Sequence, residues 1–169
     1  MIRRRLLSVL RLEEEEMKEW KILYDSGKIE DEKIAFDTVD ISGCEELYGI
    51  LLCMKNESAT GSRDVQLVIR SQESSRNFII GKSLIATNAN KSCEFHMEKI
   101  ADALSVDAFY NQNAVNTDFD AGYHSDNNSS VIAGYALNMS ELKSAKIQSF
   151  NNVAGYEFGA GSRCRIYGR

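Results

Sequence analysis

The chain has 169 residues, the length of one domain of ordinary size, which excludes a two-domain enzyme. Its 43% hydrophobic and 27% charged residues, with a mean hydropathy of −0.33, describe a globular composition able to bury a core and exclude a disordered or membrane-embedded chain. Twenty basic against 25 acidic residues leave a net charge of −5, which argues against nucleic acid as a partner, and the absence of proline excludes proline-rich linkers and cis-proline turns.

Residues from about 4 to 17 read as the single convincing helix, because Leu6, Leu7, Val9, Leu10 and Leu12 recur at spacings of three and four among good helix formers. Arginines crowd its first turn and Glu13 to Glu16 its last, against the helix macrodipole. Such a helix is marginal alone in water. Its leucine face therefore needs a cover, either the protein's own body or an assembly, with Leu6, Val9 and Leu10 as the expected oligomer interface. The apolar stretch Leu6 to Leu10 is too short for a secretory h-region or a membrane span. The four cysteines, Cys44, Cys53, Cys93 and Cys164, are therefore expected as free thiols, three of them inside apolar strand patterns. The chain divides into residues 1–18, a helical assembly or docking segment, and residues 19–169, a β-sandwich domain.

From Trp20 onward the period becomes two. Val65, Leu67 and Ile69, then Cys93, Phe95 and Met97, then Cys164 and Ile166 alternate with polar or charged residues, as half-buried strands do. The apolar runs Tyr48 to Met54 and Val131 to Leu137 predict strands with both faces covered. Met97 to Leu104 has mixed character that allows a helical turn. Turn signals fall at Ser26-Gly27, Ser42-Gly43, Asn56 to Ser62, Thr87 to Lys91 and Asp118 to Ser130. About eight to ten short strands with no helix-rich half predict an all-β fold: an antiparallel β-sandwich of jelly-roll type after a short N-terminal helix.

No catalytic machinery is legible. Ser140 and Lys143 have the S-x-x-K spacing and Ser125-Asp126-Asn127 spells S-D-N, but their order is reversed and K-T-G is missing. The G-x-S-x-G, H-E-x-x-H, C-x-x-C and P-loop patterns are absent. No cofactor or metal is expected: His96 shares a strand face with Glu94 and Glu98 and reads as solvated. Asp118, Asp120 and Asp126 fail the EF-hand pattern, so a shallow calcium site stands as the alternative to a solvated loop. Glycosidase chemistry needs a spaced carboxylate pair, and nothing selects one. Ligand recognition is placed in the long polar stretch Tyr110 to Ser130, with Tyr110, Asp118, Asp120, Tyr123 and Asp126 as binding residues. There aromatic faces can stack on sugar rings while short polar side chains bond hydroxyls; the alternative is that the aromatics anchor the loop.

The two ends of the chain carry a resemblance. Ile147-Gln-Ser-Phe150 followed by Tyr156-Glu-Phe158 and Gly159 to Gly168, closing on Ile-Tyr-Gly, resembles the ending of tailed-phage and prophage virion proteins. The opening, Trp20-Lys-Ile-Leu, then Ile34-Ala-Phe36, Asp40-Ile41 and Glu46-Leu47-Tyr48, is similar to the start of the same proteins. The middle of the chain departs from that pattern. The resemblance implies a phage or prophage virion structural protein, a tail, baseplate or head appendage component. It further implies a homo-oligomer, most often a trimer, that contacts other virion proteins, attaches to bacterial surface glycan and assembles in the host cytoplasm. A non-viral carbohydrate-binding β-sandwich module is the competing expectation, and a small glycan hydrolase comes third.

Overall fold

The computed structural model describes residues 19–72, 75–100, 103–111, 128–129, 135–136 and 142–169. Eleven strands fill it: β1 Lys21–Asp25, β2 Val39–Asp40, β3 Glu46–Cys53, β4 Arg63–Ser71, β5 Ser75–Ile85, β6 Lys91–Ile100, β7 Ala103–Asn111, β8 Asn128–Ser129, β9 Tyr135–Ala136, β10 Leu142–Ser149 and β11 Arg163–Gly168. They form two antiparallel sheets, one in the order β1-β11-β3-β6-β7-β8 with β9 also on β7, the other β2-β10-β4-β5. Only β4-β5 and the β6 to β9 run connect within a sheet. Every other connection crosses between sheets, which makes the sandwich one of jelly-roll type.

The period of two is what builds the core. Val65, Leu67 and Ile69 of β4, Cys93, Phe95 and Met97 of β6, and Cys164 and Ile166 of β11 are buried together, and Phe36 and Phe158 stack within the same cluster at 4.9 Å between ring centroids. Their alternates Glu94, His96, Glu98, Arg163, Arg165 and Tyr167 are only half-buried, on the outer face of the larger sheet. Burying a large apolar side chain contributes about 1.5–3 kcal/mol. A one-residue slip of β6 would expose Phe95 and bury His96 and Glu94, so register follows from the pattern.

The turn signals act through side chains. Asp25, Asp40 and Asn56 each accept a hydrogen bond from the backbone N–H two residues on, at 2.9 Å, and Gly27 and Gly43 take the left-handed conformations the first two turns need, φ 60° and 80°.

Two expectations require correction. The run Tyr48 to Cys53 lies mid-sheet between β11 and β6 but is not covered on both faces: Tyr48 and Ile50 point outward and are half-buried. Their apolar character belongs to that outer face. Met97 to Ile100 and Ala103 to Leu104 form no helical turn; they are the facing ends of the β6-β7 hairpin, with Met97 and Leu104 fully buried. The pairing of Met97 with Val106 rewards extended backbone more than the local sequence rewards a helix. The N-terminal helix, with Leu6, Val9 and Leu10, lies outside the described residues, as does all of Val131 to Leu137 but the strand Tyr135–Ala136.

Candidate functional site

The outer face of the larger sheet carries cross-strand rows. Antiparallel pairing sets Ile22 beside Tyr167, Tyr167 beside Tyr48, Tyr48 beside His96 and His96 beside Asp107. The next row runs Asp25, Arg165, Ile50, Glu94 and Phe109. Trp20 lies across the first row, edge-on to Tyr48 and to His96, each at 6.4 Å between centroids, and the Arg169 guanidinium sits 4.8 Å from its ring centroid. Trp20, Ile22 and Phe109, all on this face, are three of the four exposed large hydrophobic residues among the described ones. Aromatic residues and arginine are enriched at protein interfaces relative to the rest of a surface.

Ion pairs lace this face. Glu46 accepts from Arg169 Nη2 through both oxygens, at 2.8 and 3.0 Å, and its Oε2 lies 3.2 Å from His96 Nε2. Burial raises the Glu46 carboxyl, and the bonds from Arg169 and His96 outweigh it, so the group sits below its ordinary pKa. Burial and the neighbouring Glu94 push the Tyr48 hydroxyl up. His96 is therefore not simply solvated, as the alternation of Glu94, His96 and Glu98 predicts; it belongs to a cluster whose other members come from β3 and the chain's last residue.

Glu46, His96 and Glu98 are the one group among the described residues whose ligand atoms, within 4.8 Å of one another, could hold a metal ion. Arg169 already neutralises Glu46 through both oxygens, and a cation there would have to displace it. The arrangement is that of an ion-pair cluster.

A second constellation lies at one end of the sandwich, where the segments 54–62 and 150–161 meet. Thr60 binds Gly155 O through its N–H at 2.9 Å and its hydroxyl at 3.1 Å, and Asn56 Nδ2 donates to Glu157 O at 3.0 Å. The turn after β10 holds Asn151 and Asn152 in left-handed conformations, φ 59° and 54°. Two successive non-glycine residues there cost about 1–2 kcal/mol each, which asparagine tolerates best. Asn151 N–H donates to the nearly buried Gln66 Oε1 at 3.0 Å, which helps hold the turn. Arg63, at the start of β4, places its Cζ 5.2 Å from the Phe150 ring centroid and 4.7 Å from that of Tyr156.

Of the expected ligand residues, Tyr110 stands on β7 opposite Cys93, half-buried and packed against the core. Asp118, Asp120, Tyr123 and Asp126 lie outside the described residues. The sequence reading missed Trp20, Glu46 and Arg169 as a cluster, and Arg63 with Phe150 and Tyr156. No local signal joins residues 123 positions apart; the pairing of the last strand with β3 does.

The fold defines the class, an antiparallel β-sandwich with a cross-strand aromatic and ionic face. No protein-family model matches the sequence, and no curated protein matches it.

Proposed function

We propose that the protein is a structural component of a phage or prophage virion, a tail, baseplate or head appendage module that assembles as a homo-oligomer, a trimer by the resemblance. One observation carries this reading. The opening and closing segments that resemble virion proteins lie side by side: β1, led by Trp20, pairs with β11, and β11 pairs with β3. Phe36 likewise donates its N–H to Ile147 O at 2.9 Å and stacks on Phe158. The resemblance thus concerns one contiguous half of a sandwich rather than scattered dipeptides.

Support for assembly comes from the outer face of the larger sheet, where Trp20, Ile22 and Phe109 stand exposed among tyrosines and arginines. A role in attachment to host-surface glycan follows the resemblance, and weak sites repeated in a trimer gain about 10²–10⁴ in avidity. Light scattering on the full chain together with the neighbourhood of its gene tests the reading. An oligomer encoded among tail or capsid genes supports it; a monomer encoded in a sugar-utilisation operon favours a non-viral carbohydrate-binding module.

A further inference from the structure

We infer that Glu46, His96 and Glu98 form a binding site for a divalent transition-metal ion, zinc by the chemistry of the donors, at which the ion takes the place of Arg169. The inference stands on β3 and β6 and holds whether or not the protein belongs to a virion.

Strand geometry brings the three donors together. His96 and Glu98 are two residues apart on β6 and so share the outer face of the sheet, while Glu46 on β3 pairs directly with Glu98 and diagonally with His96. Their ligand atoms lie within 4.8 Å of one another, and Glu46 Oε2 stands 3.2 Å from His96 Nε2. Two ligands held at about 2.0–2.1 Å by one tetrahedral ion stand about 3.3 Å apart. The hydrogen bond between Glu46 and His96 therefore already sets the spacing that shared coordination requires. Glu98 has only to turn its half-buried side chain, because β6 is fixed between β3 and β7.

Charge favours a cation here. Like charges directly opposite one another destabilise a sheet, and Glu46 faces Glu98 across the β3-β6 pair. Arg169 offsets Glu46, whereas Glu98 has no hydrogen bond or ion pair with another described residue, and Asp107 on β7 stands opposite His96. One imidazole with two carboxylates suits zinc or a neighbouring transition ion; magnesium and calcium take oxygen shells. Three protein ligands on a partly open face leave the fourth position to water. Arg169 is the ion's competitor, since its Nη2 occupies both oxygens of Glu46. Released from Glu46, its guanidinium keeps a second partner in the Trp20 ring, 4.8 Å away, so the exchange does not strand a charge.

Calorimetry on the full-length protein with zinc chloride, and with magnesium chloride as the oxygen-seeking control, tests this. Zinc is expected to bind one ion per chain and magnesium not to compete. His96→Gln and Glu98→Gln are each expected to weaken zinc by at least about 10- to 100-fold, the loss that removing even an outer-shell partner brings. Should His96→Gln melt lower than the wild type, Glu98→Gln, which gives up no bond to a described residue, carries the test. Arg169→Gln removes the competitor and is expected to bind zinc about 10-fold more tightly, the worth of a charge-assisted hydrogen bond. His124→Ala, which changes the only other histidine of the chain, is expected to bind as the wild type does. No saturable binding by about 1 mM zinc, at which even a weak site fills, overturns the site. So does wild-type affinity in both His96→Gln and Glu98→Gln, or loss of binding in His124→Ala. Weaker binding by Arg169→Gln overturns the exchange.

Discussion

Arg163, at the start of the last strand, holds Asp25, at the end of the first, with two hydrogen bonds: Nε to Oδ1 at 3.0 Å and Nη2 to Oδ2 at 2.7 Å. Asp25 also accepts from Arg165 Nε at 2.8 Å and from the Gly27 N–H, so one carboxylate ties β1 to β11 and closes the turn that follows. The bonds from Arg163 hold its carboxyl far below the ordinary range, against the opposing effect of burial. A carboxyl whose pKa is lowered by folding contributes stability that is complete above its unfolded value and is lost as pH falls toward the folded one. The Asp25 contribution is therefore expected to be flat above about pH 5 and to be lost progressively as pH falls below it. Asp25→Asn should cost about 2 kcal/mol at neutral pH, or about 4–8 °C in Tm, with the gap from wild type narrowing as acid protonates Asp25. Melting curves from pH 7 to 2 check this; a constant gap would remove Asp25 from the account.

Gly159 has no room for a side chain. A Cβ there would stand 2.8 Å from Met54 O and closer still to the Lys55 carbonyl oxygen, which is backbone and cannot swing aside. Gly159→Ala is expected to destabilise by at least about 2–3 kcal/mol, while Gly61→Ala, where a Cβ meets nothing nearer than Tyr156 at 4.0 Å, should change stability by less than about 1 kcal/mol. Chemical denaturation of both variants tests the contrast, and equal effects would contradict it.

How far the sequence could be read follows the range of the interactions involved. Strands such as β4 and β6 were legible because each residue's facing depends on its own parity, and Leu67 and Phe95 are buried where alternation puts them. The outer face was legible only as a list of polar alternates. That Glu46 meets His96 and Arg169, or that Trp20 lies over Tyr48, depends on which strands become neighbours, and long-range pairing leaves no periodic trace. Arg63 carries no motif at all, since a cation set over aromatic rings is made by a turn folding back on β4. Gly159 and Gly161 lie at the entry to the last strand, where one allows close backbone approach and the other takes φ 87°.

The thiols report on the core. Cys53, Cys93 and Cys164 are buried, and burial pushes all three above their ordinary pKa; Cys44 is raised less and is partly accessible. Since the thiolate is the reactive form, a thiol reagent at pH 8 is expected to modify no more than one of the four cysteines in the native protein, and all four in denaturant. Rapid native reaction at two or more would contradict the packing of β3, β6 and β11.

Glu46 should act as the hinge of the aromatic cluster. Glu46→Gln leaves Arg169 without its carboxylate and is expected to cost about 1 kcal/mol. The chain has a single tryptophan, so fluorescence reads the site directly. Iodide quenching of Trp20 should rise in the variant, and unchanged quenching would show that Arg169 is held by its backbone bonds to Glu45 and Glu46 alone.

The most direct test of the virion reading is mass spectrometry of purified particles from a bacterial strain that carries the gene in a prophage or is infected by the phage that encodes it. The account predicts the chain in the particle fraction at a fixed copy number, divisible by three, together with the major tail or capsid proteins. Its absence from intact particles, with the chain abundant in the host's soluble fraction, would contradict the proposal.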